Sequence, residues 1–183
     1  METGWKRTTA GYGWVSISFH WLMLLLIVAT YAAMELKSFY PKGSPAREAL
    51  ATWHFTLGLT VFCFVWLRLW ARSTGPNPVI EPAMAAWQAM SAKAMHWVLY
   101  ALMISLPLLG WLTISAKGIN VSFFGTELPA LIGKNDELAK WIKQIHEAIA
   151  NAGYFLIGLH VSAALLHHYV KRDNTLKLML PKR

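Results

Sequence analysis

Seven histidines are the residues of this sequence whose type and spacing point most directly to chemistry. All of them fall in or at the edges of long apolar stretches: His20, His54, His96, His146, His160, His167 and His168. An imidazole surrounded by hydrocarbon is unfavourable unless it is hydrogen-bonded or ligates a metal. For a single such histidine, a structural hydrogen bond to a neighbouring carbonyl or hydroxyl group is as good an explanation as metal ligation. Seven histidines on four stretches favour a shared chemical role instead.

The spacing within the last apolar stretch is the most informative. His146 and His160 are 14 residues apart, which is close to four helical turns. They therefore project from nearly the same face of a helix, separated by about 21 Å along its axis. The ligands of one metal ion must meet within a few ångströms. The spacing thus predicts two sites at two depths, and it suits two haems that each take one axial ligand from this helix.

The elements that must position these histidines are predicted to be membrane helices. Four stretches contain no Asp, Glu, Lys or Arg: 8–34, 49–67, 94–116 and 148–170. A helix of roughly 20 apolar residues crosses the hydrocarbon core. We therefore predict an all-α fold, a transmembrane four-helix bundle, in one integral membrane domain over residues 1–183. The predicted helices cover about 15–36, 46–71, 84–116 and 138–170.

The segments between the helices and the composition complete this prediction. The segment 72–83 is a Pro-rich connector, 117–137 is the largest loop, and Pro107 is expected to kink the third helix without breaking it. Hydrophobic residues make up 56% of the chain and charged residues 14%, against nearer a quarter charged in soluble domains. The net charge of +8 is not gathered into one patch, so we expect no nucleic-acid partner. The single cysteine, Cys63, excludes an intrachain disulfide and a Cys-ligated cluster.

The distribution of charge predicts the orientation in the membrane. With four spans both termini lie on one side, which carries ten Lys and Arg residues and three acidic residues. The other side carries seven Lys and Arg residues and six acidic residues. Because basic residues accumulate on the cytoplasmic side, both termini are predicted to be cytoplasmic. The segments 37–47 and 117–140 then face outward.

Depth in the membrane sorts the histidines into pairs. His54 lies in the outer part of the second helix, near the level of His146. His20 lies near the inner end of the first helix, toward the level of His160. His96 has a similar depth on the third helix, so it remains an alternative ligand for the inner site. Two imidazoles leave a haem iron with no open position, which is typical of electron transfer.

Other polar residues are weaker candidates. His167 follows His160 by seven residues and lies close to the same face, where it could bond a quinone carbonyl. Ordinary interfacial polarity explains His167 and His168 equally well, and it fits His168 better than a quinone contact does. Arg68 and Arg72 are candidate contacts for haem propionates, although arginines at helix ends often serve as anchors.

Glycines and lysines also have two explanations each. Three glycines could admit a flat macrocycle or simply allow helices to pack: Gly58, Gly153 and Gly158. Four outward-facing lysines could attract a small anionic donor or be solvated loop charges: Lys117, Lys134, Lys140 and Lys143.

Several stretches resemble the bacterial di-haem cytochrome b561 proteins. They are SISFHW (16–21), ATYAAME (29–35), WHFTLG (53–58), MHWVLYALMISLPLLGW (95–111) and HEAIANAGYFLIGLHVSAALLHHYVKRDNTL (146–176). The resemblance implies four helices that bind two b-type haems through two histidines each. It assigns His20 and His160 to the inner haem and His54 and His146 to the outer haem. It also disfavours His96 as a ligand.

The resemblance further implies an activity. Similar proteins sit in the bacterial inner membrane and exchange electrons between the periplasm and the quinone pool, notably by oxidising superoxide to oxygen and reducing ubiquinone. Ubiquinone would then bind near the inner haem, at His167. The alternative is a haem relay or anchor subunit of a hydrogenase- or formate-dehydrogenase-like complex, which would need a redox partner protein. A histidine-based proton or metal-ion transporter is less favoured, because it needs histidines at one level.

Overall fold

Four long helices dominate the computed structural model, which describes residues 4–180. They are α1 (Trp14–Lys37), α2 (Pro45–Ser73), α3 (Ala86–Ala116) and α4 (Asp136–Leu166). All four are long and apolar enough to cross a membrane. The predicted fold class is confirmed, and the predicted helix ends lie within a few residues of the observed ones.

Local capping explains where two of these helices begin. The Ser44 side chain accepts a hydrogen bond from the backbone amide of Arg47, and Pro45 occupies the first turn of α2. The Asn135 side chain accepts from the amide of Leu138 at the start of α4. Such caps satisfy amides that lack a partner within the helix. They set the start of the two helices that carry His54 and His146.

Consecutive helices run in opposite directions. Arg68, late in α2, contacts His20, early in α1, and Tyr100, at the middle of α3. We name the end of the bundle that holds these three residues the inner end and the opposite end the outer end, following the predicted orientation. α1 packs mainly on α2, and α3 packs mainly on α4.

The buried core consists of two clusters, one toward each end. The inner cluster contains Met23, Val61, Val65 and Tyr100. The outer cluster contains Leu59, Ile114 and Val121. Many large apolar side chains point outward instead, such as those of Trp87 and Phe155. A hydrocarbon environment favours this arrangement, because lipid tails solvate apolar side chains.

The segment 117–137 contains a short hairpin that the sequence analysis missed. Strands β1 (Val121–Phe123) and β2 (Thr126–Leu128) pair antiparallel. Phe124 and Gly125 both have positive φ values in the turn, as tight hairpins require. Three-residue strands are too short to produce a recognisable alternation. α3 continues through Pro107, as predicted.

The N-terminal segment is attached to the connector 72–83. Arg7 is buried, and its guanidinium donates to the carbonyl of Arg72 and to the side-chain oxygen of Asn77. The same group lies 5.0 Å from the ring centre of Tyr12. Burial lowers the pKa of Arg7 below its ordinary value, and the positive charge of Arg72 acts in the same direction. This segment therefore contributes positive charge to the inner end.

The chain after α4 folds back against the bundle. α4 continues into a π-helical turn, His167–Lys171, and Arg172 has a positive φ of 56°. Asn174 then bonds to the backbone of Val79 and Glu81. Trp21 of α1 donates to the carbonyl of Met179 at 2.8 Å. The segment 173–180 is therefore held against both α1 and the connector.

Candidate functional site

A cavity of about 720 Å³ lies between the four helices, within the range of small-molecule and cofactor sites. Its lining includes five histidines: His20, His54, His96, His146 and His160. Both predicted pairs thus open onto one continuous space. His167 and His168 are not among its lining residues.

The outer pair consists of His54 and His146. Their ring centres are 6.3 Å apart, and the ring planes are inclined by 75°. Nδ1 of His54 lies 3.0 Å from the carbonyl oxygen of Thr30, so Nδ1 carries the proton and donates it. Nε2 then keeps its lone pair. Histidines that ligate metals commonly have this arrangement, because the second hydrogen bond fixes the tautomer and the ring orientation.

His146 packs against a glycine of α3. A Cβ atom at Gly110 would lie 3.6 Å from Cε1 of His146, so a larger residue would press on the ring. Nδ1 of His146 is buried and has no hydrogen-bond partner among residues 4–180. Sequence reasoning did not single out Gly110, because nothing in one apolar run marks the glycine that faces a histidine on another helix.

Two histidines approach His160 at the inner end. The ring centre of His20 lies 6.4 Å from that of His160, whereas that of His96 lies at 5.5 Å. A ligating imidazole nitrogen lies about 2 Å from its metal. With the ring centre roughly 1 Å further back, two axial imidazoles place their ring centres roughly 6 Å apart. The separation of His20 from His160 agrees with this value and with that of the outer pair, and His96 is closer.

The inner pair differs from the outer pair in its hydrogen bonding, because His20 contacts the guanidinium of Arg68 where His54 contacts a backbone carbonyl. Its Nη2 lies 2.8 Å from Nδ1 of His20, and its Nε donates to the Tyr100 hydroxyl at 3.3 Å. A guanidinium can only donate, so Nδ1 of His20 accepts and Nε2 carries the proton. Ligation through Nε2 would require the opposite tautomer. Binding a metal at His20 therefore requires Arg68 to turn away from this ring.

Two arginines at the inner end, Arg68 and Arg72, lie against the same tyrosine. The Arg68 and Arg72 guanidinium carbons lie 5.8 and 5.7 Å from the ring centre of Tyr100. Within the described part of the chain, the ion pairs are Lys143 with Glu147 and His167 with Asp173, so neither arginine has a carboxylate partner there. The sequence analysis named both arginines but missed Tyr100, whose hydroxyl resembles any other in an apolar run.

His167 lies beside the cavity rather than in it. Its Nδ1 lies 2.5 Å from Oδ2 of Asp173, and the amide of Thr175 donates to Oδ1 at 2.9 Å. Asp173 is only 3% exposed. Burial by itself would raise the pKa of Asp173, but the hydrogen bonds from His167 and Thr175 outweigh it and lower the pKa. Leu165, two residues before His167, lines the cavity, and so do Leu176 and Leu180, which follow Asp173.

The three glycines named from the sequence have different environments. Gly58 lines the cavity, and a Cβ atom there would meet no described atom within 4 Å. Gly153 is buried against Tyr31, whose hydroxyl donates to the carbonyl of Ala150 at 2.9 Å. Gly158 is exposed and is not a lining residue. Only Gly58 therefore makes room inside the cavity, while Gly153 lets α1 and α4 approach.

Basic residues of α1, α2 and α4, and the residue that follows α3, converge at the outer end. Lys37 is close enough to interact electrostatically with Arg47, Lys117 and Lys143. Lys143 also pairs with Glu147 at 2.8 Å. Lys134 packs its side chain on Gly118, and Lys140 is exposed.

Acidic and phenolic groups lie at the same end of the cavity. Glu35 and Tyr154 both line it, and the Tyr154 hydroxyl donates to the Glu35 carboxylate at 2.6 Å. Glu147 is also a lining residue. The outer end therefore presents charges of both signs, with the basic residues gathered around Lys37.

Comparison with known proteins points to one group. A family model described as prokaryotic cytochrome b561 matches residues 11–182. The chain is 41% identical to cytochrome b561 homolog 1 of Escherichia coli K12, covering 91% of this chain and 95% of that protein. It is 36% identical to a probable superoxide oxidase, CybB, of Yersinia pestis, covering 94% and 97%. Identity to cytochrome b561 homolog 2 of Escherichia coli K12 is 28%, covering 96% and 94%.

Proposed function

Since the chain belongs to the prokaryotic cytochrome b561 family, we propose that it binds two b-type haems and transfers electrons between a donor at the outer end and the quinone pool. The family binds b-type haem and acts in electron transfer. The number of haems, their ligands, the donor and the acceptor are the parts that we propose.

The observation that carries the proposal is the matched separation of two histidine pairs. His54 and His146 have ring centres 6.3 Å apart, and those of His20 and His160 are 6.4 Å apart. Both values suit two imidazoles on opposite sides of one iron. We assign the first pair to the outer haem and the second to the inner haem.

Other residues of the chain would prepare these sites. Thr30 fixes the tautomer and orientation of His54, and Gly58 and Gly110 leave space beside the ligands. Arg68 and Arg72 are suited to bind propionates, because a guanidinium binds a carboxylate in a bidentate manner. Haems held by two imidazoles would supply one-electron transfer and would not bind oxygen, since the iron has no open position.

We propose superoxide as the donor. The probable superoxide oxidase of Yersinia pestis, similar over most of its length, supports this choice. Superoxide is an anion, and the basic residues around Lys37 would attract it to the outer end. Each superoxide gives up one electron and becomes oxygen.

We propose ubiquinone as the acceptor. Two electrons and two protons reduce one ubiquinone to ubiquinol, so two superoxide anions are needed for each. His167, which lies beside the inner end of the cavity and bonds to Asp173, is the residue that we propose for contact with the quinone. The protein would thus act as an oxidoreductase of the inner membrane, with both termini in the cytoplasm.

A spectrum and a haem count test the two-haem proposal. The protein purified in detergent should show a b-type alpha band in a reduced-minus-oxidised spectrum and two haems per chain. His54→Ala and His146→Ala should each retain one haem, whereas the control His168→Ala should retain two. A wild-type protein with no b-type band, or with a single haem, would contradict the proposal.

A second experiment tests the donor and the acceptor. Mixing the purified protein with superoxide and a soluble ubiquinone analogue should reduce the analogue, and removal of one haem by His54→Ala should abolish this reaction. Normal haem content without any reaction would reject superoxide. It would favour a haem relay subunit, which should then copurify with a redox partner protein.

A further inference from the structure

Tyr100 is a buried residue to which the proposed function assigns no role. It lies in α3 with 5% of its surface exposed, and two arginines of α2 lie against it. Arg68 donates through Nε to its hydroxyl, and the guanidinium carbons of Arg68 and Arg72 are 5.8 and 5.7 Å from its ring centre. At these distances both cations interact with the electron-rich face or hydroxyl of the ring. One tyrosine therefore touches both arginines.

The two arginines form a pair suited to an anion. They are four residues apart, so they lie on the same face of α2. Arg68 lines the cavity beside His20 and His160, and no ion pair within residues 4–180 neutralises either arginine. Two neighbouring guanidinium groups without carboxylates are an unfavourable arrangement near an apolar cavity unless an anion joins them.

The chemistry of His20 indicates what happens to Arg68 when the inner haem binds. Ligation through Nε2 places a proton on Nδ1 of His20, and Arg68 then loses its acceptor. The Tyr100 hydroxyl still accepts from Nε, so the side chain stays tethered while its terminal nitrogens become free. The propionates of the inner haem are carboxylates that these nitrogens can bind.

We propose that Tyr100 is a positioning residue that holds Arg68 and Arg72 as a propionate-binding pair and thereby raises the reduction potential of the inner haem. This inference rests on the proposed function. Positive charge near a haem favours the reduced state, because reduction adds a negative charge. An inner haem of higher potential draws electrons inward from the outer haem.

Redox titration of Tyr100→Phe tests the inference. The substitution removes the hydroxyl and keeps the ring, so the packing of the core is retained. At a fixed ambient potential, the ratio of reduced to oxidised inner haem should fall about fivefold, as expected for losing the net contribution of one ordinary hydrogen bond. Performing the titration in a His54→Ala background leaves only the inner haem to be observed. Tyr169→Phe, the same change at a residue that is 71% exposed, should leave the ratio unchanged.

A double-mutant cycle separates positioning from a general structural effect. If Tyr100 acts through Arg68, Tyr100→Phe should have no further effect on the potential when combined with Arg68→Gln. An equal shift with and without Arg68 would overturn the inference, and so would an unchanged potential in the single variant. If Tyr100→Phe does not retain the inner haem, Arg68→Gln and Arg72→Gln decide. Both variants must lower the potential of the inner haem, and the inference is rejected if either one does not. Absence of haem from the wild-type protein would instead refute the proposed function itself.

Discussion

The ring centre of His20 lies 6.4 Å from that of His160, nearly the same separation as the 6.3 Å between His54 and His146 at the other end of the cavity. The two pairs come from the same set of helices, since α4 supplies one member of each and α1 and α2 supply the others. His96 lies nearer to His160, at 5.5 Å. This difference leads to a direct comparison of His20 and His96.

We expect His20→Ala to lose the inner haem and His96→Ala to keep both haems. The separation of His20 from His160 leaves room for an iron between the rings, while the closer His96 fits beside the site instead. The haem-to-protein ratio of the purified variants measures this directly. One haem in His96→Ala together with two haems in His20→Ala would reverse the assignment.

Gly58→Leu should reduce haem binding without unfolding the bundle. A side chain at this position would project into the cavity, where it would occupy the space of the macrocycle. Gly158→Leu is the matched control, because Gly158 is exposed and does not line the cavity. The haem-to-protein ratio should fall for the first variant only, while circular dichroism shows the same helix content for both. Full haem content in Gly58→Leu would show that this part of the cavity is not used.

Gly153→Ala should destabilise the contact between α1 and α4. A Cβ atom there would clash with the hydroxyl of Tyr31, which is held by its hydrogen bond to Ala150. Overpacking of this kind costs about 1–3 kcal/mol. Thermal unfolding in detergent should show the loss. Adding Tyr31→Phe should recover part of the stability because it removes the clashing oxygen, and no recovery would place the cause elsewhere.

Asp173→Asn should lower the free energy of unfolding at neutral pH by about 2 kcal/mol, as expected for a buried hydrogen bond to a charged group. The folded state lowers the pKa of Asp173, so the stabilisation is fully present above the ordinary carboxyl pKa of about 4. It is lost as the pH falls through the lower pKa of the folded state. The difference in melting temperature between wild type and variant should therefore be constant above about pH 4 and shrink below it.

Asp136→Asn serves as the control for this pH dependence, because Asp136 is exposed at the start of α4. Asp136 makes no buried hydrogen bond within residues 4–180, so this variant should lower the melting temperature at neutral pH less than Asp173→Asn does. A difference between wild type and Asp173→Asn that grows as the pH falls would contradict the prediction, since it would mean that the folded state favours the protonated carboxyl group.

The helices and the two depths of the histidines could be predicted from the sequence because both depend on regular spacing, whereas the choice of His20 over His96 came from the family resemblance. Uninterrupted apolar runs mark membrane helices, and the 14 residues between His146 and His160 correspond to nearly whole turns. Depth along a helix then follows from residue number alone. These quantities need no knowledge of which face of one helix meets which face of another.

Features that depend on contacts between helices were missed, because the sequence alone does not show which faces of two helices meet. The role of Gly110 depends on its position opposite His146, and that of Tyr100 on the two arginines of another helix. The partnership of His167 with Asp173 depends on a reversal of the chain after α4. Neither helical periodicity nor composition predicts such contacts between residues that are distant in the sequence.

The reversal after α4 also affects the order of events during biosynthesis. Leu176 and Leu180, which complete the inner wall of the cavity, are translated after all four helices and after every histidine that lines it. The nascent bundle therefore carries its facing histidines while the inner wall is still to be made. A cofactor that binds during that interval meets a cavity without the lining of Leu176 and Leu180, and the hydrogen bond from Trp21 to Met179 forms only afterwards.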